Sequence, residues 1–187
     1  MAKKENVAEV AAVEDVEEFV AETAGVTEDG GGYDPGMDMG EFNVDEEYKP
    51  TPLISLGAYH GAIVDVKFDN ETKVISFHVT LNENGGVMSD GETPIDGSTH
   101  VARVMIPRPG DENEYTKSGK ETKRQWKINN MKRFAENLKI NMSTPTIIAK
   151  SIINKEWVGL AVDAKIKIGE WEGNYRNEIE RLVARQS

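Results

Sequence analysis

GAYHGAIVDVKFDNETKVISFHVTL, residues 57–81, reads as two strands joined by a turn at Asp69-Asn70. In the second run, Lys73 to Leu81, the residues Ile75, Phe77, Val79 and Leu81 alternate with Val74, Ser76, His78 and Thr80. Successive side chains on a strand point to opposite faces, so this run carries one continuous apolar face. Applied to the first run, Gly57 to Phe68, the same alternation puts His60, Ala62, Val64, Val66 and Phe68 on one face. It leaves Tyr59, Ile63, Asp65 and Lys67 on the other. Two alternating runs around a short Asp-Asn turn make a hairpin signal.

Working outward, the Gly-rich polar stretch Asn82 to Thr99 leads to a third strand, His100 to Ile106, and residues 107–120 (PRPGDENEYTKSGK) read as a mobile loop. Residues 121–140 are the strongest helix signal, with Ile128, Met131, Phe134, Ala135 and Leu138 along one side. Thr146 to Asn154 is a short second helix candidate behind Pro145. The fourth strand, Trp157 to Ile168, is expected to bury Val158, Leu160, Val162, Ala164, Ile166 and Ile168, and the last runs from Tyr175 to about Val183. Three strands, a helix and two strands is the element order of an OB-fold. The expected class is mainly β: an OB-fold-like five-stranded barrel with its main helix between strands 3 and 4. An open α+β sheet is the alternative.

The charge is divided along the chain. Residues 1–50 hold 15 Asp or Glu against three Lys, a net of −12, out of −11 for all 187 residues. Residues 51–187 are therefore near neutral, at +1. The division predicts an acidic flexible arm, 1–50, and one nucleic-acid-binding domain, 51–187. Within the arm, Val7, Val10, Val13, Val16, Phe19 and Val20 recur at helical spacing over residues 5–24, and a Gly-rich linker follows. The chain has no cysteine, which excludes disulfides, thiolate metal sites and a thiol nucleophile. No apolar run approaches the roughly 20 residues needed to span a bilayer, and no secretory signal pattern opens the chain. The expected location is the cytoplasm.

The chemistry-bearing residues are basic and aromatic. From Lys117 to Lys139 stand Lys117, Lys120, Lys123, Arg124, Lys127, Lys132, Arg133 and Lys139, opposed by Glu121 and Glu136, for a net of +6. Neutralising phosphates with such cations supplies sequence-independent, salt-sensitive affinity for nucleic acid. At 100° per residue Trp126 lies about 160° from Ile128, about 140° from Met131 and about 180° from Ala135, away from the apolar stripe. There it can stack a base, or pack under the loop or a neighbouring strand. The strands add Tyr59, Lys67, Arg103, Lys165 and Lys167, and the last turn adds Trp171, Tyr175 and Arg176. Aromatics interleaved with cations suit single strands, whose unstacked bases expose their faces. Catalytic signals are weak. Asp65-x-Lys67 and Asp163-x-Lys165 are what strand alternation produces freely, and there is no nucleophile elbow, kinase set or Walker lysine. No enzyme activity, metal or cofactor is expected.

Several stretches resemble a family of bacteriophage single-stranded-DNA-binding proteins of replication and recombination. They are Glu41 to Tyr48 (EFNVDEEY), Gly57 to Gly61 (GAYHG), GGVMSDGETPIDGS (85–98), RPGDENEYTKSGKETKRQ (108–125), EWVGLAVDAKI (156–166) and GEWEGNYRNEI (169–179). The resemblance covers roughly residues 41–183. It implies an OB-fold-like body and a DNA-binding role, and it transfers no residue-level site. Single-strand binders often carry an acidic docking tail at the C-terminus. Here Ala184-Arg185-Gln186-Ser187 holds no acid and the acidic run is N-terminal.

The expected function is non-enzymatic binding of single-stranded DNA in phage DNA replication and recombination, in the bacterial host cytoplasm. The partners expected are single-stranded DNA, replication or recombination proteins reached through the acidic arm, and further copies of the chain. The arm would compete with DNA for the basic surface, so deleting it should tighten binding. Two alternatives remain: a capsid-associated interaction protein with an extended N-terminal arm, and a DNA mimic acting through that arm.

Overall fold

The computed structural model describes residues 50–185, within the unit that runs from Lys49 to Ser187. The acidic arm and the helix expected over residues 5–24 lie outside the described residues.

Five strands form one antiparallel sheet: β1 (Gly57–Asp69), β2 (Val74–Leu81), β3 (Thr99–Met105), β4 (Ala161–Trp171) and β5 (Asn174–Ala184). Their order across the sheet is β3-β2-β1-β4-β5. Between β3 and β4 come two helices, α1 (Lys123–Leu138) and α2 (Pro145–Ile153). Thr122 caps α1 and Thr144 caps α2, each hydroxyl accepting a backbone N–H of the first turn, from Gln125 and Ile147 respectively. Pro145 opens α2 at a position where a missing N–H costs nothing. No helix among the described residues is long and apolar enough to cross a membrane.

The mainly β class stands, with an open sheet in place of the closed barrel. No ladder joins β3 to β5 among the described residues, although the two strands lie close together. α1 touches both of them. A polar cleft of about 400 Å³ separates their facing residues, with Arg103 of β3 and Arg176 and Glu178 of β5 in its lining. Charged side chains line this seam.

β1 serves both halves of the sheet, pairing with β4 over residues 57–62 and with β2 over 61–69. Gly61 lies at the crossover of these ladders, where a Cβ would meet the Thr80 carbonyl oxygen at 2.7 Å. Just beyond, the register slips: Ile63 faces Val79 but Asp65 faces His78, so Val64 is an extra residue in the ladder. This bulge reverses the assigned faces on its N-terminal side, while Val66 beyond it is buried in the core as alternation expects. Ile63 is fully buried, while Val64 is 47% exposed and Phe68 is also exposed.

In β2, Ile75, Phe77, Val79 and Leu81 are all buried, as their alternation requires. Phe77 is central: its ring lies 4.8 Å from Phe134 of α1 and 5.6 Å, stacked, from Trp157. In β4, Val162, Ala164 and Ile166 are buried, but Val158 and Ile168 are exposed. The strand starts at Ala161 because residues 155–159 turn back after α2, with Lys155 and Gly159 both at positive φ. The core also takes in Ile54, ahead of β1. Its N–H donates to the Asn177 side-chain oxygen at 2.7 Å, and its carbonyl accepts from the Asn177 amide at 2.9 Å. One side chain thereby pairs the entering chain as a neighbouring strand would.

Candidate nucleic-acid interface

α1 organises the site. Lys123, Trp126, Asn130, Arg133 and Asn137 follow at i, i+3, i+7, i+10 and i+14, so they share a face about 80° wide and about 21 Å long. Trp126 is 40% exposed on this stripe. Three clefts with shared lining residues run beside it. One of about 930 Å³ lies between the 107–121 loop and α1, with Trp126, Arg108, Lys117 and Lys123 in its lining and also the carboxylates of Asp111, Glu114 and Glu121. A narrower one, about 180 Å³, continues from Met105 and Trp126 past Arg103 to Asn130 and Phe134. From Asn130 and Phe134 a third, about 530 Å³, reaches Arg133, Asn137, Lys165, Glu180 and Arg181. Arg103 belongs both to the middle cleft and to the β3/β5 seam.

Residues 107–121 are held by contacts instead of forming the mobile loop expected from their composition. Tyr115 and Thr122 make an isolated bridge. Asp111, 7% exposed, is the anchor: its carboxylate accepts the Arg108 N–H at 2.6 Å and the Lys127 ammonium at 2.7 Å. Its own carbonyl accepts the Arg124 N–H at 3.1 Å. The Arg108 N–H, then Lys127, hold the Asp111 carboxyl below its usual range. Glu114 binds the Lys123 ammonium, and that hydrogen bond raises the lysine's pKa.

The sequence-predicted residues divide by partner. Arg103, Lys117, Lys120, Arg124 and Arg133 make no side-chain ion pair among the described residues. Of these, Arg103, Lys117 and Arg133 line the clefts. Lys120 is exposed on the same loop. Arg124 is about 160° round α1 from Trp126 and faces elsewhere.

The remaining cations already meet carboxylates. Lys67 pairs with Asp65 at 3.2 Å, Lys127 with Asp111, Lys165 with Glu180 at 2.8 Å and Lys167 with Glu178 at 3.5 Å. Arg176 pairs with Glu178 at 2.8 Å. Glu178 and Glu180 are held ionised, their pKa values lowered first by the side-chain hydrogen bonds from Arg176 and Lys165 respectively.

Tyr59 is half-buried, packs against the core and donates its hydroxyl to the Ser55 carbonyl at 2.9 Å. Tyr175 is exposed at the start of β5, and the backbone of Trp171 closes β4 opposite Asn174. The structure thus gathers Trp126, Arg103, Lys117, Lys123 and Arg133 along α1 and places Lys165 at one end of the run. It sets Lys167, Tyr175 and Arg176 on the β4–β5 hairpin.

Helical angle from sequence sets Asn130 beside Trp126, but sequence reasoning gave it no binding role and missed Met105, Asn137 and Arg181, with Arg181 donating to the Asn137 side-chain oxygen at 3.1 Å. The spacing of Asn130 and Asn137 from Trp126 was the available signal. Neither acid-x-Lys pair assembles further: Asp163 bonds His60 at 2.6 Å, and no group of three metal-ligating side chains occurs among the described residues.

No protein-family model matches this chain, and no curated protein matches it.

Proposed function

We propose that the protein binds single-stranded DNA without catalysis, along the α1 groove. The observation that carries this reading is the exposed Trp126 ring, set in a run of clefts whose cations Arg103, Lys117 and Arg133 have no carboxylate partner. An aromatic face among unpaired cations takes an unstacked base on the ring and phosphates on the flanking charges. Duplex offers no free base face, so the same groove discriminates against it. Asn130, Asn137 and Arg181 add hydrogen-bonding groups along the path.

The strand order also supports an OB-fold reading. Read around the sheet it is β1-β2-β3-β5-β4, with β3 and β5 side by side, which is the order of an OB-fold barrel left open at one seam. We assign the protein to phage DNA replication and recombination on the resemblance described above, with residues 1–50 as the contact for other proteins of that process.

The test is quenching of tryptophan fluorescence by an unlabelled single-stranded oligonucleotide at two salt concentrations, with duplex as control. Single strand should quench, less so at high salt, and duplex should not. Trp126→Ala should remove most of the quench and weaken binding about tenfold, since one stacked base contributes roughly 1–3 kcal/mol. No response in either the full chain or residues 51–187 would favour the capsid-associated reading.

A further inference from the structure

A second concavity shares no lining residue with the clefts along α1. It encloses about 490 Å³ between Phe68 at the end of β1, Ile106 after β3, and the α2 residues Pro145, Ile148, Ile152 and Ile153. Its α2 positions recur at i, i+3, i+7 and i+8, the stripe of a helix that buries one side. Yet the stripe is only half used: Ile148 is buried in the core, and Ile153 is 78% exposed. Phe68, across the groove, is 42% exposed.

Within the lining of this apolar floor the charge has one sign. Lys73 is the single ionisable residue in the lining, its ammonium 5.8 Å from the Phe68 ring centroid. Outside the lining, Lys150 is exposed on α2, about 60° round the helix from Ile153, and the Glu156 carboxylate, held by the Ser151 hydroxyl at 2.6 Å, lies within its electrostatic reach. No carboxylate lines the groove. The nearest in sequence, Asp69, is occupied by its own turn, accepting the Glu71 and Thr72 N–H groups and the Thr72 hydroxyl.

We propose that this groove docks an acidic amphipathic helix of a partner protein. The apolar anchors of that helix would sit on Phe68 and Ile153, and its carboxylates on Lys73 and Lys150. A second copy is disfavoured as occupant, because a two-fold contact sets the same patch against itself and would bring these lysines together. The groove being separate, partner and nucleic acid can be held at once.

The experiment titrates the full chain with two labelled synthetic peptides that share one amphipathic leucine pattern, one carrying Glu on its polar face and the other Lys. The Glu peptide should bind saturably and the Lys peptide at least about tenfold more weakly. Ile153→Asp, at an exposed position that leaves the core intact, should weaken the Glu peptide by a similar factor, as should Lys150→Glu. Arg103→Ala should leave its affinity unchanged. Four results overturn the proposal: no binding of either peptide; equal binding of both; binding lost with Arg103→Ala but kept with Ile153→Asp, which puts the peptide on the α1 groove; or self-association of the chain alone that Ile153→Asp abolishes, which makes a second copy the occupant.

Discussion

Lys127 stands on α1 in line with Met131, Phe134 and Leu138, at i, i+4, i+7 and i+11. Its stem therefore runs onto the apolar side, and its side chain is 12% exposed. The ammonium needs a partner there, and Asp111 of the loop supplies it. Removing one member of such a pair leaves a charge stranded in low dielectric, so Asp111→Asn should cost about 3 kcal/mol of stability at neutral pH. The carboxyl's folded pKa is depressed, so its contribution is complete above its unfolded value, near 3.8, and is lost as pH falls through the lower folded value. Urea midpoints across an acid series should show wild type losing stability below about pH 4, with a smaller loss in Asp111→Asn. Trp126 and Lys127 show what was legible at this scale. Helical angle alone set Trp126 off the apolar stripe, and the structure exposes it. The same angle sets Lys127 on that stripe, a signal hidden when cations are counted as a run. Asp111 could not be read, because its bond to a residue 16 positions away depends on the path of the loop.

β1 and β2 differ in how far a period of two can be trusted. β2 keeps its alternation unbroken, so all four of its core residues follow from sequence. In β1 a single extra residue resets the faces, and nothing in GAIVDV marks which valine or isoleucine is the extra one. The two assignments give opposite mutational outcomes. With the bulge, Ile63→Ala should cost about 3 kcal/mol, as for a filled core site, and Val64→Ala should stay within about 0.5 kcal/mol. Unbroken alternation reverses that ranking, and equilibrium urea unfolding of the two variants separates the cases. The helices were legible to within two or three residues because capping threonines and Pro145 mark their starts chemically. The start of β4 was not, since Trp157 and Val158 are apolar for a different reason: Trp157 stacks on Phe77 from a turn.

For the molecule as a whole, net charge matters less than which cations are already paired. If Arg103, Lys117, Lys120 and Arg133 each neutralise one phosphate, log Kobs for single-stranded DNA should fall against log salt with a slope near −3. Glu114→Gln would release Lys123 and should steepen that slope by about 0.7, and titrations over a salt series check both values. The sequence located the basic segment, but it could not show that its neighbours on the β4–β5 hairpin are tied up by Glu178 and Glu180, because that depends on strand register. The unjoined seam has a further consequence. Two strand edges with unused backbone groups invite a foreign strand, the first step toward aggregation. Arg103, Arg176 and Glu178 stand along those edges as hydrated obstacles to it. If the proposed function holds, Arg103 serves both nucleic-acid affinity and solubility, and a large β-branched substitution there, Arg103→Ile, would invite strand addition at the seam as well as weaken binding.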